Sequence, residues 1–272
     1  MGGSPPARLV VGESGAGAAE LLAIALDAAR VSAPLLLERF EGGAERAVGA
    51  KTSPTDMVSE ADLASERAIR ALLVERRPDD GVLGEEGETV RGTSGLRWVV
   101  DPLDGTIDFL FGIPQWCISV AVEDGDGPIA GVVHDPCRDE TFAATREGDA
   151  TLNGALIRGS EKTDLADALV ATGFAYDAAV RARQAEVLIG VLPRVRDIRR
   201  AGSAALDLAW TAMGRHDAYF ERTTKPWDVM AGGLICEAAG LEFGELADRP
   251  GLPAGVYAAP AGLRDALLAL VA

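Results

Sequence analysis

Residues 98–106 have the sequence Trp-Val-Val-Asp-Pro-Leu-Asp-Gly-Thr, and this stretch decides how the rest of the chain is interpreted. Its apolar start predicts a buried strand that ends in Asp101, and a second carboxylate, Asp104, follows the turn. Two carboxylates three residues apart, with the carbonyl oxygen of Leu103 between them, are the kind of oxygen ligands that hard cations prefer. The pattern therefore predicts a cation site, with an acidic turn of no function as the alternative.

Gly105 and Thr106 come directly after this turn, where a short helix is predicted to begin. The free backbone N–H groups at a helix start attract an anion. A cation site and an anion site side by side suit a phosphate ester, so the same stretch predicts phosphate binding.

Two further acidic segments each allow two interpretations. Glu85 and Glu86 follow a short extended segment, and they form either a solvated loop or, if the fold brings them beside Asp101, further cation ligands. Asp62 either closes a capping box that begins at Ser59 or holds a metal-bound water. The sequence leaves both choices open.

The segment Lys225-Pro-Trp-Asp228 opens a predicted helix, so Asp228 is either its N-cap or a third metal carboxylate. Glu221 ends the preceding strand, where it is either a partner for a polyol hydroxyl or an ordinary surface acid. The small residues at 201–205 allow a ligand to approach the backbone closely, although close helix packing explains them equally well.

The composition indicates a folded and strongly acidic protein. Of the 272 residues, 48% are hydrophobic and 25% are charged, and 42 acidic against 26 basic side chains give a net charge of −16. This charge argues against nucleic acid or an anionic membrane as the main partner. An anionic substrate would therefore need a cation to mediate its binding.

Cysteine and histidine usage narrows the protein class further. The three cysteines form no Cys-x-x-Cys pair, and two histidines are too few for a histidine-rich zinc site. The first residues, MGGSPPAR, lack the pattern of a signal peptide. Together these features predict a cytoplasmic protein with reduced thiols.

Apolar spacing predicts a helix at 18–40 that is interrupted at Pro34 and a helix at 59–77, with a loop or hairpin at 42–54 between them. Short strands up to residue 152 then predict an antiparallel meander, and the rest of the chain alternates strands and helices. We therefore predict a layered α/β (α+β) fold. Its predicted parts are a flexible tail at 1–14, an α+β subdomain with the metal site at 15–160, and an α/β subdomain at 161–272.

Taken together, these motifs resemble the inositol monophosphatase family of magnesium-dependent, lithium-sensitive-type phosphatases. The resemblance covers about residues 18–270, and the motifs occur in the order of that family. They are Lys-x-Ser-Pro-x-Asp-x-Val-x-x-x-Asp at 51–62, Gly-Glu-Glu at 84–86, Asp-Pro-Leu-Asp-Gly-Thr at 101–106, Gly-Ser-Ala at 202–204 and Trp-Asp at 227–228. The resemblance implies the layered αβαβα sandwich of the inositol monophosphatase and fructose-1,6-bisphosphatase type, in a homodimer.

The resemblance also implies a role for each matching position. Two or three Mg²⁺ ions would be bound by one set of oxygen ligands: Glu85, Asp101, the Leu103 carbonyl, Asp104 and Asp228. A second set would orient the attacking water: Glu85, Thr106 and Asp62. A third set would contact the phosphate and the inositol hydroxyls: Asp104, Gly105, Thr106, Ser203, Ala204 and Glu221. Further candidates for the site are Lys51, Glu86 and Lys225.

The reaction implied by the resemblance is hydrolysis of inositol 1-phosphate by a metal-activated water. The alternatives are fructose-1,6-bisphosphatase, histidinol-phosphatase or 3′-phosphoadenosine phosphatase activity and, from another class, a non-catalytic binding protein on the same fold. Three positions depart from the family pattern: Leu103, where isoleucine is frequent, Asp108, where asparagine often stands, and Lys225, where some members have histidine. At Leu103 only the carbonyl would bind a cation, so little changes. By the resemblance Asp108 and Lys225 lie near the mouth of the site, where they would affect substrate preference.

Overall fold

The computed structural model describes residues 14–42, 48–50 and 57–272. The α-helices are α1 (Ser14–Glu41), α2 (Glu60–Arg76), α3 (Thr106–Phe111), α4 (Ala178–Val191), α5 (Ala204–Ala212), α6 (Pro226–Ala238) and α7 (Ala261–Val271). The strands are β1 (Val48–Ala50), β2 (Met57–Ser59), β3 (Gly81–Gly84), β4 (Arg97–Asp104), β5 (Cys117–Asp124), β6 (Gly127–Asp135), β7 (Glu140–Thr145), β8 (Thr151–Leu152), β9 (Ala155–Leu156), β10 (Leu169–Thr172), β11 (Asp197–Arg199), β12 (Ala218–Arg222), β13 (Glu242–Leu246) and β14 (Gly255–Ala259). Within the described part of the chain, no helix combines the length and apolarity that crossing a bilayer requires.

Two large sheets carry the fold, and a short pair, β1 and β2, accompanies them. The first sheet has the strand order β3-β4-β5-β6-β7-β8-β9, and its strands are antiparallel except for the parallel pair of β3 and β4. The second sheet has the order β11-β10-β12-β14-β13, with β10 parallel to both of its neighbours. The predicted antiparallel meander is therefore confirmed.

The sheets alternate with pairs of helices in five layers. Helices α1 and α2 cover one face of the first sheet through a core that includes Leu36 and Trp98. Helices α5 and α6 lie between the two sheets, where Leu208 and Ile235 belong to the central core. Helices α4 and α7 cover the outer face of the second sheet. Because each strand alternates its side chains between faces, Val99 points to the central core and its neighbour Val100 to the outer one.

Helix α1 continues through Pro34, so the predicted interruption of this helix is wrong. A proline in a helix removes one backbone N–H and crowds the carbonyl group four residues earlier, here that of Arg30. Arg30 and its neighbour Val31 are exposed, so this carbonyl lies on the solvent side of the helix. Burial of Ala33 and Leu36 on the opposite side holds the helix across the proline.

The two large sheets use separate parts of the chain, because β9 ends at Leu156 and β10 begins at Leu169. The predicted division near residue 160 falls between them, and it stays a prediction that each part is a subdomain. The predicted tail at 1–14 lies outside the described residues except for its last residue, which begins α1. The segment at 42–54, predicted as a loop or hairpin, is described only at residue 42 and at 48–50.

Asp80 links the end of α2 to the first sheet. Its side chain is 1% exposed and accepts hydrogen bonds from Arg77 Nε at 2.9 Å, Ser94 Oγ at 2.6 Å and Trp98 Nε1 at 2.9 Å. Burial raises the pKa of Asp80, but the hydrogen bonds from these three donors lower it further than burial raises it. The resulting pKa lies below the ordinary value of 3.8, so the carboxylate stabilises the fold in its charged form.

Asp80→Asn is expected to lower the free energy of unfolding by about 2 kcal/mol at pH 7, because an amide cannot accept all three hydrogen bonds of a charged group. The pKa of Asp80 is lower in the folded state than in the unfolded state, where it is near 3.8. Its carboxylate therefore stabilises the fold fully at pH values above 3.8, and this stabilisation is lost as the pH falls through the pKa of the folded state. Urea unfolding at pH 7 and at about pH 3 measures this difference. Asp79→Asn changes the exposed neighbouring carboxylate and is the control; an equal deficit at both pH values would contradict the assignment.

Candidate active site

A cavity of about 330 Å³ brings together acidic residues from separate elements of the fold. Glu85 reaches it from the end of β3, Asp101 and Asp104 from β4, and Asp228 from the first turn of α6. The parallel pairing of Gly84 with Val100 places Glu85 beside Asp101, and the Glu85 N–H donates to the Val100 carbonyl at 3.2 Å. The fold therefore does bring Glu85 beside Asp101, and its role as a cation ligand stays a prediction.

The turn at 101–106 is shaped by its own backbone. The Leu103 N–H donates to Asp101 Oδ1 at 3.0 Å, and the pairing of β4 with β5 shifts register between Asp101 and Asp104. Such a bulge turns side chains toward a new direction. Gly105 has a φ of 93°, and a Cβ added there would lie 2.6 Å from the Gln115 carbonyl oxygen, so both conformation and space require glycine. The predicted short helix then begins at Thr106 as α3.

Asp104 is held by the start of α5. Its Oδ2 accepts hydrogen bonds from Ser203 Oγ at 2.6 Å and from the Ala205 N–H at 2.7 Å. Ser203 is also the N-cap of α5, is 1% exposed and does not line the cavity. We therefore assign Ser203 to the positioning of Asp104 instead of the predicted contact with substrate, whereas Ala204 does line the cavity.

Three carboxyl groups of the cavity, those of Asp101, Asp104 and Asp228, have a raised pKa. Burial raises the pKa of Asp101 well above its ordinary value, and the charges of Glu85, Asp104 and Asp228 and a hydrogen bond with the Glu85 carboxyl raise it further. Burial likewise raises the pKa of Asp228 well above the usual range, with Asp104 as the next cause. For Asp104, burial raises the pKa to about 6 even though the hydrogen bonds from Ser203 and Ala205 lower it. Each of these three carboxyl groups is therefore harder to ionise than a free carboxyl group, partly because of the negative charge of its neighbours.

This donor set fits a hard divalent cation. It consists of four carboxylates and the Leu103 carbonyl, all oxygen ligands of the type that Mg²⁺ and Ca²⁺ prefer, and a bound cation would reverse the mutual rise in pKa. Across residues 14–42, 48–50 and 57–272, no three Asp, Glu, His or Cys side chains are already closed around one point as in a finished metal centre. Binding would therefore require these side chains to turn toward the ion.

Thr106 connects the cavity to a buried acid behind it. Its hydroxyl lies 3.1 Å from Asp62 Oδ1 and 3.0 Å from the Leu103 carbonyl oxygen. Asp62 is fully buried in α2 and does not line the cavity. Its contact with Thr106 favours the interpretation that links Asp62 to the site over that of a helix cap alone.

Asp228 is not the N-cap of α6, so that simple interpretation of it is wrong. The helix begins one residue after Lys225, which is the N-cap, and Asp228 occupies the third helical position. There Asp228 Oδ2 accepts the Lys225 N–H at 2.7 Å. In return the Asp228 N–H donates to the Lys225 carbonyl at 3.1 Å. The second carboxylate oxygen of Asp228 is then left for the cavity, which Lys225 and Trp227 also line.

Glu221 lies on β12 at another part of the cavity wall. Tyr219 donates its hydroxyl hydrogen to Glu221 Oε2 at 2.9 Å. The Glu221 carboxyl group rests against Gly173, where an added Cβ would lie 2.1 Å from it. Burial raises the pKa of Glu221 to about 7, although the Tyr219 hydroxyl lowers it. Glu221 is therefore a cavity-lining carboxyl group that is held in place by Tyr219 and has a raised pKa, and it is not an ordinary surface acid.

Several predicted residues do not line the cavity. Glu86 holds its loop in place by donating its N–H to Glu66 Oε2 at 2.8 Å. Asp108 is 8% exposed and does not line the cavity, but its carboxylate lies against Gly202, which does, so its place near the mouth stays a prediction. Tertiary packing decides which side chains of the short helix α3 are buried, Asp108 among them, and the motif alone did not reveal this. Lys51 lies outside the described residues.

Sequence reasoning also missed residues that do line the cavity: Phe174, Tyr176, Arg200, Thr223 and Thr224. They come from loops that follow β10 and β12 and from the segment before α5. No local motif marked these positions. The two consecutive arginines before the small-residue run at 201–205 were an available signal for Arg200, because a cation beside a predicted phosphate site is a candidate contact.

Comparison with known proteins places this geometry in a family. A sequence profile described as the inositol monophosphatase family matches residues 18–270 and so includes every cavity carboxylate. The chain belongs to the inositol monophosphatase family. Membership confirms the predicted fold type and the predicted enzyme class, a phosphoric monoester hydrolase of a generally metal-dependent family.

Individual members of the inositol monophosphatase family are similar over most of the chain. The inositol-1-monophosphatase SuhB of Mycobacterium tuberculosis is 41% identical over 239 residues, which cover 84% of this chain and 82% of that protein. The Nus factor SuhB of Xylella fastidiosa is 43% identical over 189 residues, or 69% and 68% of the two chains. The crystal structure of the extragenic suppressor protein SuhB of Bartonella henselae matches with a TM-score of 0.86 at 33% identity and covers 93% of this chain and 98% of that one.

Proposed function

We propose that this chain hydrolyses inositol 1-phosphate to myo-inositol and phosphate with Mg²⁺ as its cofactor. The observation that carries the proposal is the meeting of Glu85, Asp101, Asp104 and Asp228 in one cavity with Glu221 on its wall. The carboxylates suit a divalent cation and Glu221 suits the hydroxyl groups of a polyol. The name of the Mycobacterium tuberculosis relative supports the choice of substrate.

In this proposal Glu85, Asp101 and the Leu103 carbonyl hold one Mg²⁺, and Asp101, Asp104 and Asp228 hold a second, with a third ion left open. When bound, such ions supply a water that is nucleophilic at neutral pH and neutralise the charge of the phosphate. The residues of this chain fix where those ions and the ester can lie, because β4 and α6 are anchored by the central core.

Thr106 and Asp62 orient the attacking water. The Thr106 hydroxyl has one hydrogen, which it can donate either to Asp62 Oδ1 or to the Leu103 carbonyl oxygen. Its lone pairs remain available to accept a hydrogen from a water in the cavity. Gly105 and Thr106 line the same wall, so their backbone is the proposed contact for the phosphate.

Glu221→Gln tests the polyol contact. We expect KM for inositol 1-phosphate to rise about tenfold with a smaller change in kcat, because a hydrogen bond to a charged group is worth about 1.5 to 3 kcal/mol and the amide keeps part of it. Phenyl phosphate, which has no hydroxyl groups for Glu221, should show no such change. Steady-state kinetics on both substrates measures the contrast, and an equal rise in KM for both would contradict a hydroxyl contact.

The function as a whole is tested by phosphate release from a panel of esters in Mg²⁺ and in EDTA. The panel contains inositol 1-phosphate, fructose 1,6-bisphosphate, histidinol phosphate and 3′-phosphoadenosine 5′-phosphate. The expected result is Mg²⁺-dependent hydrolysis with the highest kcat/KM for inositol 1-phosphate. Full turnover in EDTA would refute the proposed cofactor, and a higher kcat/KM for another ester would refute the proposed substrate.

Fructose 1,6-bisphosphate is the second candidate substrate, because the exposed cations Arg200 and Lys225 line the same cavity. A second phosphate on the substrate would give these side chains a partner. If this candidate is correct, Arg200→Gln lowers kcat/KM for the bisphosphate more than for inositol 1-phosphate. Arg158→Gln, which changes a distant exposed arginine, is the control.

The rival from another class is a non-catalytic binding protein, and the relative named Nus factor SuhB makes it concrete. The presence of all four cavity carboxylates argues against it. Failure of every ester in the panel to release phosphate with Mg²⁺ would favour it.

We further propose that the chain forms a homodimer in the cytoplasm and that neither nucleic acid nor a membrane is its main partner. Light scattering of the purified chain tests its oligomeric state.

A further inference from the structure

Glu66 is a buried acid that the proposed mechanism does not use. It lies on α2, is 3% exposed and faces the loop that carries Glu85. Its Oε2 accepts the Glu86 N–H at 2.8 Å, and its Oε1 accepts the Gly87 N–H at 2.9 Å and Arg70 Nε at 2.6 Å. The carboxylate therefore binds two successive backbone groups directly after Glu85.

The glycines on both sides of Glu85-Glu86 are explained by Glu66. A Cβ added at Gly84 would lie 2.3 Å from Glu66 Oε1, and one added at Gly87 would lie 2.6 Å from the same atom. Neither glycine has a positive φ, so the requirement is for space and not for backbone conformation. The Gly-Glu-Glu-Gly sequence thus allows the carboxylate to rest directly on the loop.

Glu85 is consequently held from two directions. On one side its N–H donates to the Val100 carbonyl at 3.2 Å, next to Asp101 on β4. On the other side Glu66 holds the two residues that follow. Arg70 pairs with Glu66, so this support adds no net charge to an acidic site.

We propose that Glu66 is a positioning residue that fixes the loop at 84–87 and thereby sets the affinity of Glu85 for a divalent cation. This inference rests on the proposed function, because it assumes that Glu85 is a metal ligand. Glu66 contacts no substrate and acts through the backbone of Glu86 and Gly87. Its removal should weaken cation binding more than it slows the reaction at saturating cation.

The test measures Mg²⁺ binding by isothermal titration calorimetry without substrate, together with kcat and the half-saturating Mg²⁺ concentration. Glu66→Gln should raise the dissociation constant for Mg²⁺ about 10- to 100-fold, as partners of metal ligands commonly do, while kcat at saturating Mg²⁺ falls less. Glu88→Gln is the matched control, since it removes the same charge from an exposed position of the same loop. A dissociation constant for Glu66→Gln equal to that of Glu88→Gln would overturn the proposal.

A second pair of variants covers the case in which Glu66→Gln does not fold. Gly87→Ala pushes a methyl group against Glu66 Oε1 without changing any charge, whereas Gly125→Ala places one where no atom lies within 4 Å. Gly87→Ala should weaken Mg²⁺ binding and Gly125→Ala should not; equal binding by the two overturns the proposal. If the wild-type chain itself binds no Mg²⁺, the proposed function has failed instead, and the two failures are distinguished.

Discussion

Asp101→Asn lowers kcat/KM for the preferred ester by about a thousandfold or more. Asp101 is 2% exposed and is the one carboxylate assigned to both proposed ions. Asparagine has nearly the same shape and keeps an oxygen to accept the Leu103 N–H, which is 3.0 Å from Asp101 Oδ1. The substitution therefore removes a charge and a ligand without removing the local hydrogen bond.

The same variant should fold as well as the wild-type chain when no metal is present. Burial and the charges of Glu85, Asp104 and Asp228 raise the pKa of Asp101, so a neutral side chain at this position relieves repulsion. Thermal unfolding in EDTA separates loss of activity from loss of fold. Asp126→Asn on the exposed turn after β5 is the charge-matched control, and an Asp101→Asn enzyme with more than about a tenth of wild-type kcat/KM would contradict the proposed ligand set.

Mg²⁺ is expected to raise the unfolding temperature of the wild-type chain by about 5 to 10 °C. A ligand that binds only the folded state at about 100 times its dissociation constant stabilises it by about 2.7 kcal/mol, and about 1 kcal/mol moves the midpoint of a chain of this size by about 2 to 4 °C. The physical source is the neutralisation of carboxylates that otherwise raise one another's pKa. Calorimetric scans in Mg²⁺ and in EDTA measure the shift.

Sodium chloride at the same ionic strength is the control for general screening, because screening acts weakly on buried charges. Asp101→Asn should lose most of the Mg²⁺ shift, whereas Asp126→Asn should keep it. A wild-type chain with the same unfolding temperature in Mg²⁺ and EDTA would contradict a metal site at these carboxylates.

The fold was predictable in outline because much of it is local. Short β-rich segments separated by turns predicted a meander, and the spacing in 59–77 predicted α2, which is observed as Glu60–Arg76. Pro34 was misjudged because its effect depends on what the helix packs against. Burial of Ala33 and Leu36 on one side of α1 keeps the helix continuous, and the sequence alone does not show that burial.

The site was predictable where its residues adjoin one another and not where they come from different elements. The turn at 101–106 supplied two carboxylates and the glycine that its conformation requires. Ser203 belongs to a motif as clearly as Asp104 does, yet it is buried behind the cavity. Glu66 and Arg200 carry no motif, and they became visible through their distances to the loop at 84–87 and to the cavity.

By itself the sequence determined the chemistry of the turn after the strand at 98–101, because two carboxylates and the carbonyl between them are set by neighbouring residues. Only the tertiary structure decided which distant acids join that turn. Parallel pairing of β3 with β4 brings Glu85 to Asp101, and packing of α6 between the sheets brings Asp228 to the same cavity. Both contacts join residues far apart in the chain, and they depend on strand register and helix packing, which the local pattern does not encode.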